Sequence, residues 1–412
     1  MSVLPGLVLT DHELQVPLDH AKPAGQTITV YAREVAEPEG TEKPFLVFFQ
    51  GGPGFESSRP LGIPRAPGWL DRALVDFRVL MFDGRGTGRS TPVTGAESAE
   101  YLTHFRADSI VLDAELIRRE LADEPWSVLG QSFGGMCTVT YLSFAPHGVR
   151  EAFITGGLPS LTATADDIYR HTYRTVAAKN AAHYERYPQD ADLAWRVADY
   201  LAGHQVRLPD GAPLTVQAFQ SAGGMLGQGS GSHALHYLLE APFAGDDELS
   251  DAFLYAVMDE LSFARGPLYA VLHEACYAQG CATRWAAERI RAEFGEFDPS
   301  ANPLYFTGEM IYPWMIDADP VLRPLRQAAD ILAERDDWPP LYDPARLAAN
   351  EVPAAAAVYY NDMYVDREFS MQTACVIRGL KTWVTSEYEH DGLRVSDGAV
   401  LDRLIGMVRG NI

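Results

Sequence analysis

The eleven residues "WSVLGQSFGGM", Trp126 to Met136, leave the chain few options. A short apolar run meets Gly130-Gln131-Ser132-Phe133-Gly134, and the residues that follow, "GGMCTVTYLSF", suit a helix. A serine with glycine two places before and two places after it, between a strand and a helix, predicts a sharp turn. The serine takes strained backbone angles there, and only small neighbours let strand and helix pack so closely. Such a turn needs a buried strand beneath it, and the flanking sequence supplies several. The runs "ITVYAREV", "PFLVFF", "FRVLMF", "WSVLG" and "AFITG" mark strands within the first 160 residues. Between the third and fourth, "ADSIVLDAELIRREL" places Ile110, Val111, Ala114, Leu116, Ile117 and Leu121 at helical spacing. Strands alternating with helices predict an α/β fold with a mostly parallel central sheet.

The pattern changes at about residue 161. From 161 to 340 apolar residues recur at helical spacing among many aromatics, as in "DIYRHTYRTVAAKNAAHYERY" and "DAFLYAVMDELSFARGPLYAVLHEACYA". After Pro353 the strand signal returns in "AAAAVYY" and "KTWVTSEYEH", followed by a closing helix in "DGAVLDRLIGMVRG". The expected organisation is a first part of the core at 1–160, a helical insertion at 161–340, and the second part of the core at 341–412. Two glycine-rich pieces invite other readings. "SAGGMLGQGSGS", residues 221 to 232, lacks a lysine at phosphate-loop spacing and reads as a flexible connection. "FDGRGTGRS" fails as a dinucleotide fingerprint, because Arg89 stands where the third glycine is required.

Composition narrows the function classes. Among 412 residues, 56 Asp and Glu against 33 Lys and Arg give a formal charge of −23, which repels phosphate backbones and anionic lipid. Nucleic-acid and membrane partners are therefore not expected. The N-terminal "MSVLPGLVLTDHEL" has no basic stretch followed by a long apolar one, and no later run reaches the length of a membrane span, so a cytoplasmic location is the expectation. Cys137, Cys276, Cys281 and Cys375 form no C-x-x-C pair and read as reduced thiols, with neither a metal nor a cofactor implied. Cys137, five residues after Ser132, reads as a small core residue.

A serine hydroxyl attacks only when a histidine takes its proton, and a carboxylate must fix that histidine's tautomer. In this strand-turn-helix arrangement the order along the chain is serine, acid, histidine. His390 in "SEYEHDGLR" lies beyond the resumed sheet and is the candidate base. The acid belongs after the strand before it, where Asp362 and Asp366 compete. Asp362 follows the apolar run directly, whereas Asp366 can begin the next helix as its N-cap. Acyl transfer also needs amides for the oxyanion. One follows the nucleophile, at Phe133, and the other comes from the loop "QGGPG" after an earlier strand, at Gly52.

Taken together, "QGGPG", "DGRGTGRS", "GQSFGG", "YYNDMYVD" and "EHDG", in this order and spacing, resemble the proline iminopeptidase (prolyl aminopeptidase) branch of the α/β-hydrolases. The resemblance covers nearly the whole chain and implies an α/β-hydrolase fold with a large inserted helical cap, as in the larger members. It departs at one position: many relatives read H-G-G-P-G where this chain has Gln50. The implied activity is release of an N-terminal proline from peptides. Recognition of the substrate's amine would fall to cap glutamates, which map by motif to Glu274 and Glu309. Tyr277, Tyr305, Phe306, Tyr312 and Trp314 beside them would form the walls of a proline-sized pocket, or simply the cap's core. Two alternatives stand beside this reading. One is an esterase or amidase for a small apolar substrate, and the other is a hydrolase fold turned to ligand binding without catalysis. A serine at the turn argues against epoxide hydrolysis, which in this fold normally uses an aspartate there.

Overall fold

The computed structural model describes residues 2–245 and 248–412. The strands of its main sheet are β1 (Ser2–Leu4), β2 (Leu7–Pro17), β3 (Thr27–Ala36), β4 (Phe45–Phe49), β5 (Arg78–Asp83), β6 (Trp126–Gln131), β7 (Val149–Thr155), β8 (Ala354–Tyr359) and β9 (Leu380–Thr385). They form one nine-stranded sheet in the order β1-β2-β3-β5-β4-β6-β7-β8-β9. The pairs from β1 to β5 are antiparallel, and the five from β5 to β9 are parallel.

Apart from the edge strand β9, the parallel part is largely buried on both faces, which is why β4, β6 and β8 read as nearly unbroken apolar runs. Every residue of β4, β6 and β8 is buried. Within β4 the side chains alternate: Phe45, Val47 and Phe49 join one apolar cluster, Leu46 and Phe48 the other. The first two strands were not legible as strands. In "LVLTDHELQVP" one face is solvated, so polar residues interrupt the apolar ones with period two.

Helix α1 (Ala107–Leu121) covers the same residues that the helical spacing marked out. Helix α2 (Phe133–Phe144) leaves the serine turn and is buried from Phe133 to Ser143. After β7 the chain leaves the sheet and returns only at β8. Between them lie α3 (Ala165–Arg186), α4 (Pro188–Gly203), α5 (Gly231–Leu239), α6 (Asp251–Leu261) and several shorter helices. A capping box between Thr164 and Asp167 starts α3. The stretch 251–278, whose apolar residues recur at helical spacing, holds more than one helix: α6 ends at Leu261 and a new helix begins at Pro267. Proline lacks the amide to continue a helix but is well suited to start one. The core resumes with α7 (Arg367–Val376) and closes with α8 (Ala399–Arg409).

The inserted helices share an apolar cluster with one face of the sheet; Val128, Phe133, Tyr173, Phe219, Leu268 and Phe306 all belong to it. Arg106, at the start of α1, fastens the two together. Its buried guanidinium donates to the carbonyls of Ala275 (3.1 Å), Ala278 (2.6 Å) and Pro339 (2.6 Å). It also lies 4.6 Å from the ring centre of Trp338. Replacing it with methionine leaves those carbonyls unpaired in the interior. Arg106→Met should therefore destabilise the fold by roughly 2–3 kcal/mol, read from urea unfolding. A change within experimental error would show that the tether contributes nothing.

Candidate active site

The turn after β6 has the strained geometry its sequence implies. Ser132 sits at φ 55°, ψ −122°, and its amide donates to the carbonyl of Thr155 at the end of β7 (2.9 Å). Its own carbonyl accepts from the amides of Gly135 (2.8 Å) and Met136 (3.2 Å). The flanking glycines are steric necessities. A Cβ at Gly130 would stand 2.2 Å from the carbonyl oxygen of Gly134, and one at Gly134 would stand 1.9 Å from that of Phe49.

His390 and Asp362 come together after β9 and β8. His390 Nδ1 is 2.7 Å from Asp362 Oδ2, and both residues are buried. The other carboxylate oxygen of Asp362 accepts from the amides of Tyr364 (2.9 Å) and Val365 (3.0 Å), which fixes its rotamer. Asp366 instead caps α7, accepting from the amides of Glu368 and Phe369. Of the two candidate acids, only Asp362 contacts His390. Burial alone pushes the His390 pKa down. The Asp362 carboxylate, aided by Glu309, outweighs that effect and holds it above the ordinary histidine value. His390 lies beside the serine turn through Gly156 and Gly157. A Cβ at Gly156 would be 3.1 Å from His390 Nδ1, and one at Gly157 would be 2.5 Å from the Ser132 carbonyl oxygen. The structure shows no hydrogen bond from Ser132 Oγ to His390, a contact that in free enzymes often tightens only when substrate binds.

Gly52 (φ 78°) follows β4, and its neighbour Gly51 leaves no room for a side chain against Ser132, since a Cβ there would be 3.1 Å from the Ser132 Cβ. The amides of Gly52 and Phe133 have no acceptor among the described residues. The "DGRGTGRS" turn supports this loop. Buried Asp83 accepts from the Ser57 amide (3.0 Å), from both terminal nitrogens of Arg59 (2.8 and 2.7 Å) and from the Arg89 amide (3.0 Å). Gln50 donates to the carbonyl of Gly51 at 3.3 Å, while its Oε1 is buried without a hydrogen-bond partner. Cys137 is a buried thiol whose pKa burial drives up, which leaves it unreactive.

The two cap glutamates, equivalent in the sequence, occupy different settings. Glu274 is buried, and its two oxygens accept from the amides of Ala286 (3.0 Å) and Ala287 (2.9 Å), at the start of the helix Ala286–Arg291. Burial raises its pKa and these amide bonds oppose the rise. Glu309 lines a cleft of about 250 Å³ together with Tyr269, Tyr364, Phe263, Met225 and Trp314. Tyr269 donates to its Oε1 at 2.6 Å. The cleft adjoins the base, for the Tyr364 ring stands nearly edge-on to His390 at 4.7 Å. Among the aromatics, Trp314 faces this cleft, and Tyr277 lies edge-on to Tyr169 and His273. Tyr312, expected in the pocket wall, belongs instead to the cap's core. It is fully buried, and its hydroxyl is bonded to that of Tyr173 at 2.8 Å. Sequence reading missed Tyr269 and Tyr364, because nothing local distinguishes a tyrosine at a cleft from one in a core.

Residues 44–261 match the family model described as alpha/beta hydrolase fold. Over 99% of this chain and 98% of the other, the sequence is 47% identical to the proline iminopeptidase of Aeromonas sobria. The chain belongs to the proline iminopeptidase family of α/β-hydrolases. It is also 32% identical to Proline iminopeptidase aneH of Aspergillus aculeatus, over 98% of this chain and 94% of that one. With the probable proline iminopeptidase of Streptomyces coelicolor it shares 32% identity over 34% of this chain and 40% of that one. In this member of the family Ser132, the loop glycines and the buried Asp362–His390 pair all follow the carboxyl ends of parallel strands.

An imidazole accepts a proton only when neutral, so a raised His390 pKa moves the loss of Ser132 reactivity on acidification to higher pH. The rate of Ser132 labelling by a fluorophosphonate should fall with a midpoint above 6.5, the ordinary histidine value. Glu309→Gln removes one of the charges that raise that pKa, so the midpoint should move down. An unchanged midpoint would mean that Glu309 does not act on His390.

Proposed function

We propose that this protein is a serine exopeptidase that releases N-terminal proline from peptides through an acyl-enzyme. Ser132 Oγ attacks the carbonyl of the first peptide bond while His390 Nε2 takes its proton. Asp362 holds His390 in the tautomer with Nδ1 protonated and stabilises the imidazolium. The amides of Gly52 and Phe133 receive the oxyanion. His390 then protonates the leaving amine, and water, activated by the same imidazole, frees the proline. No metal or cofactor enters this sequence of steps.

The observation that carries the exopeptidase reading is Glu309, a carboxylate facing a cleft beside the base whose lining also holds Asp210, Glu260 and Asp319. A protonated secondary amine placed there gains a charge-assisted hydrogen bond in partly dry surroundings. Tyr269 holds the carboxylate in place as a donor, and its own pKa is pushed far up by burial and by Glu309, so it stays protonated. Glu274 does not line this cleft, and both its oxygens already accept amide hydrogens from Ala286 and Ala287, so the amine is assigned to Glu309. Residues 161–340 act in this reading as a cap that admits short peptides. Four free cysteines, Cys375 among them exposed, support a reducing cytoplasmic location.

Proline naphthylamide should be hydrolysed, and its N-acetylated form should be nearly inert, because acetylation removes the charge that Glu309 recognises. Comparable rates for the two would favour the esterase or amidase reading instead. Glu309→Gln should lower kcat/KM for proline naphthylamide roughly tenfold or more while sparing a small neutral ester. Ser132→Ala should lower kcat by about three or more orders of magnitude in a folded protein.

A further inference from the structure

The glycine-rich run at 221–232 is no flexible connection. Ser221–Gly227 forms a 3-10 helix and Gly231–Leu239 is α5. Three of its five glycines, Gly223, Gly227 and Gly231, are required by close packing. A Cβ at Gly223 would stand 2.2 Å from the Thr307 carbonyl oxygen, one at Gly231 1.7 Å from that of Met225, and one at Gly227 2.3 Å from the Tyr364 ring.

What this segment packs against is the loop that carries the histidine. The Gly227 carbonyl accepts from the His390 amide at 3.1 Å. The Gly229 amide donates to Asp391 Oδ1 at 3.0 Å. The Gly224 carbonyl accepts from the hydroxyl of Tyr364, whose ring in turn rests on His390. A fourth link comes from α3, where Lys179 Nζ lies 2.5 Å from Glu389 Oε2. Glu389 is thus ion-paired, and His390 and Asp391 are hydrogen-bonded, to the insertion. The far end of the segment is anchored as well. Ser232 Oγ lies 2.9 Å from His183 Nδ1, and His183 Nε2 and His236 Nδ1 flank the buried Asp190 at 3.1 and 3.0 Å. The same segment lines the substrate cleft through Ser221, Ala222, Gly224, Met225 and Gln228.

We propose that the segment Gly223–Ser232, with Asp391 and Lys179 as its positioning residues, holds His390 in register with Ser132, so that cleft wall and base move as one unit. The proposal rests on the serine hydrolase reading above. It makes the insertion a working part of the catalytic apparatus in addition to a cover: a displaced cleft wall would carry the base with it.

The test compares Asp391→Ala, Asp391→Asn, Lys179→Met and Gly227→Ala in the full chain. Asp391→Ala removes the acceptor for the Gly229 amide and should lower both kcat and the fluorophosphonate labelling rate of Ser132 about tenfold or more, with KM within about twofold. Asp391→Asn keeps an acceptor at Oδ1 and should restore most of the rate. Lys179→Met should give a smaller loss of the same kind, and Gly227→Ala a larger one by displacing Tyr364. In each slow variant the amides of residues 387–393 should exchange faster with deuterium than in the wild type. A role in folding alone would lower the melting temperature but leave the labelling rate of the folded protein unchanged, and that result would overturn the proposal. If Asp391→Ala does not fold, Lys179→Met and Gly227→Ala decide by the same two readouts. Labelling does not depend on the peptide chosen, so a wrong substrate reading leaves this test intact. Unreduced labelling in Ser132→Ala would defeat the hydrolase reading itself.

Discussion

One residue in an unfavourable backbone conformation organises this molecule. Ser132 at φ 55°, ψ −122° carries a strain of about 1–3 kcal/mol, which persists only where surrounding contacts over-determine it. Those contacts are specific: the Thr155 carbonyl holds its amide, and the amides of Gly135 and Met136 hold its carbonyl. Each belongs to a different piece of the fold. Thr155 ends β7, Gly135 and Met136 open α2, and only glycine fits at 134 because the end of β4 lies directly against it. The adjacency of β4, β6 and β7 is therefore what holds the half-buried serine at the carboxyl end of β6 with α2 buried behind it.

The same parallel arrangement explains why the reactive groups converge. Strands that run in one direction end on one side, and Gly52, Ser132, Asp362 and His390 all follow such ends. This half of the site specifies acyl transfer and says little about whose acyl group. On the reading proposed here selection comes from the insertion, which carries Glu309 and Tyr269 at the cleft. The two halves are not independent bodies. They share one apolar cluster, Arg106 reaches from α1 into the insertion, and the Phe55 ring of the glycine loop packs on Tyr269 at 5.1 Å. A cap joined so closely transmits its own position to the groups beneath it.

Sequence reading reached what is encoded locally. The strand-turn-helix junction, α1, the return of the sheet after Pro353, and His390 as a histidine following a strand are all set by neighbouring residues. Asp362 and Asp366 remained open for a physical reason: both are carboxylates able to accept backbone amides two and three residues on, and both do so. Only the approach of β9 beside β8 separates them, and that contact is remote in sequence. Glu274 and Glu309 pose the same difficulty, since an acidic residue in an aromatic stretch looks identical whether it meets a helix start or a cleft. The glycine run misled in the opposite sense. Glycine serves both where a chain is loose and where two backbones touch, and Gly223 and Gly231 are the second case.

Charge links the two halves a final time. His390 is held above its ordinary pKa by Asp362 and, more weakly, by Glu309. On the reading proposed here, Glu309 is also where the substrate's ammonium binds. The imidazole and the ammonium then compete for the same negative field. A bound cation partly neutralises Glu309, withdraws its support for the imidazolium, and so makes His390 a proton acceptor over a wider range of acidity in the complex than in the free enzyme. A neutral, acylated substrate brings no such charge. The carboxylate that recognises the amine thus also conditions the base, and specificity enters the chemical step as well as the binding step.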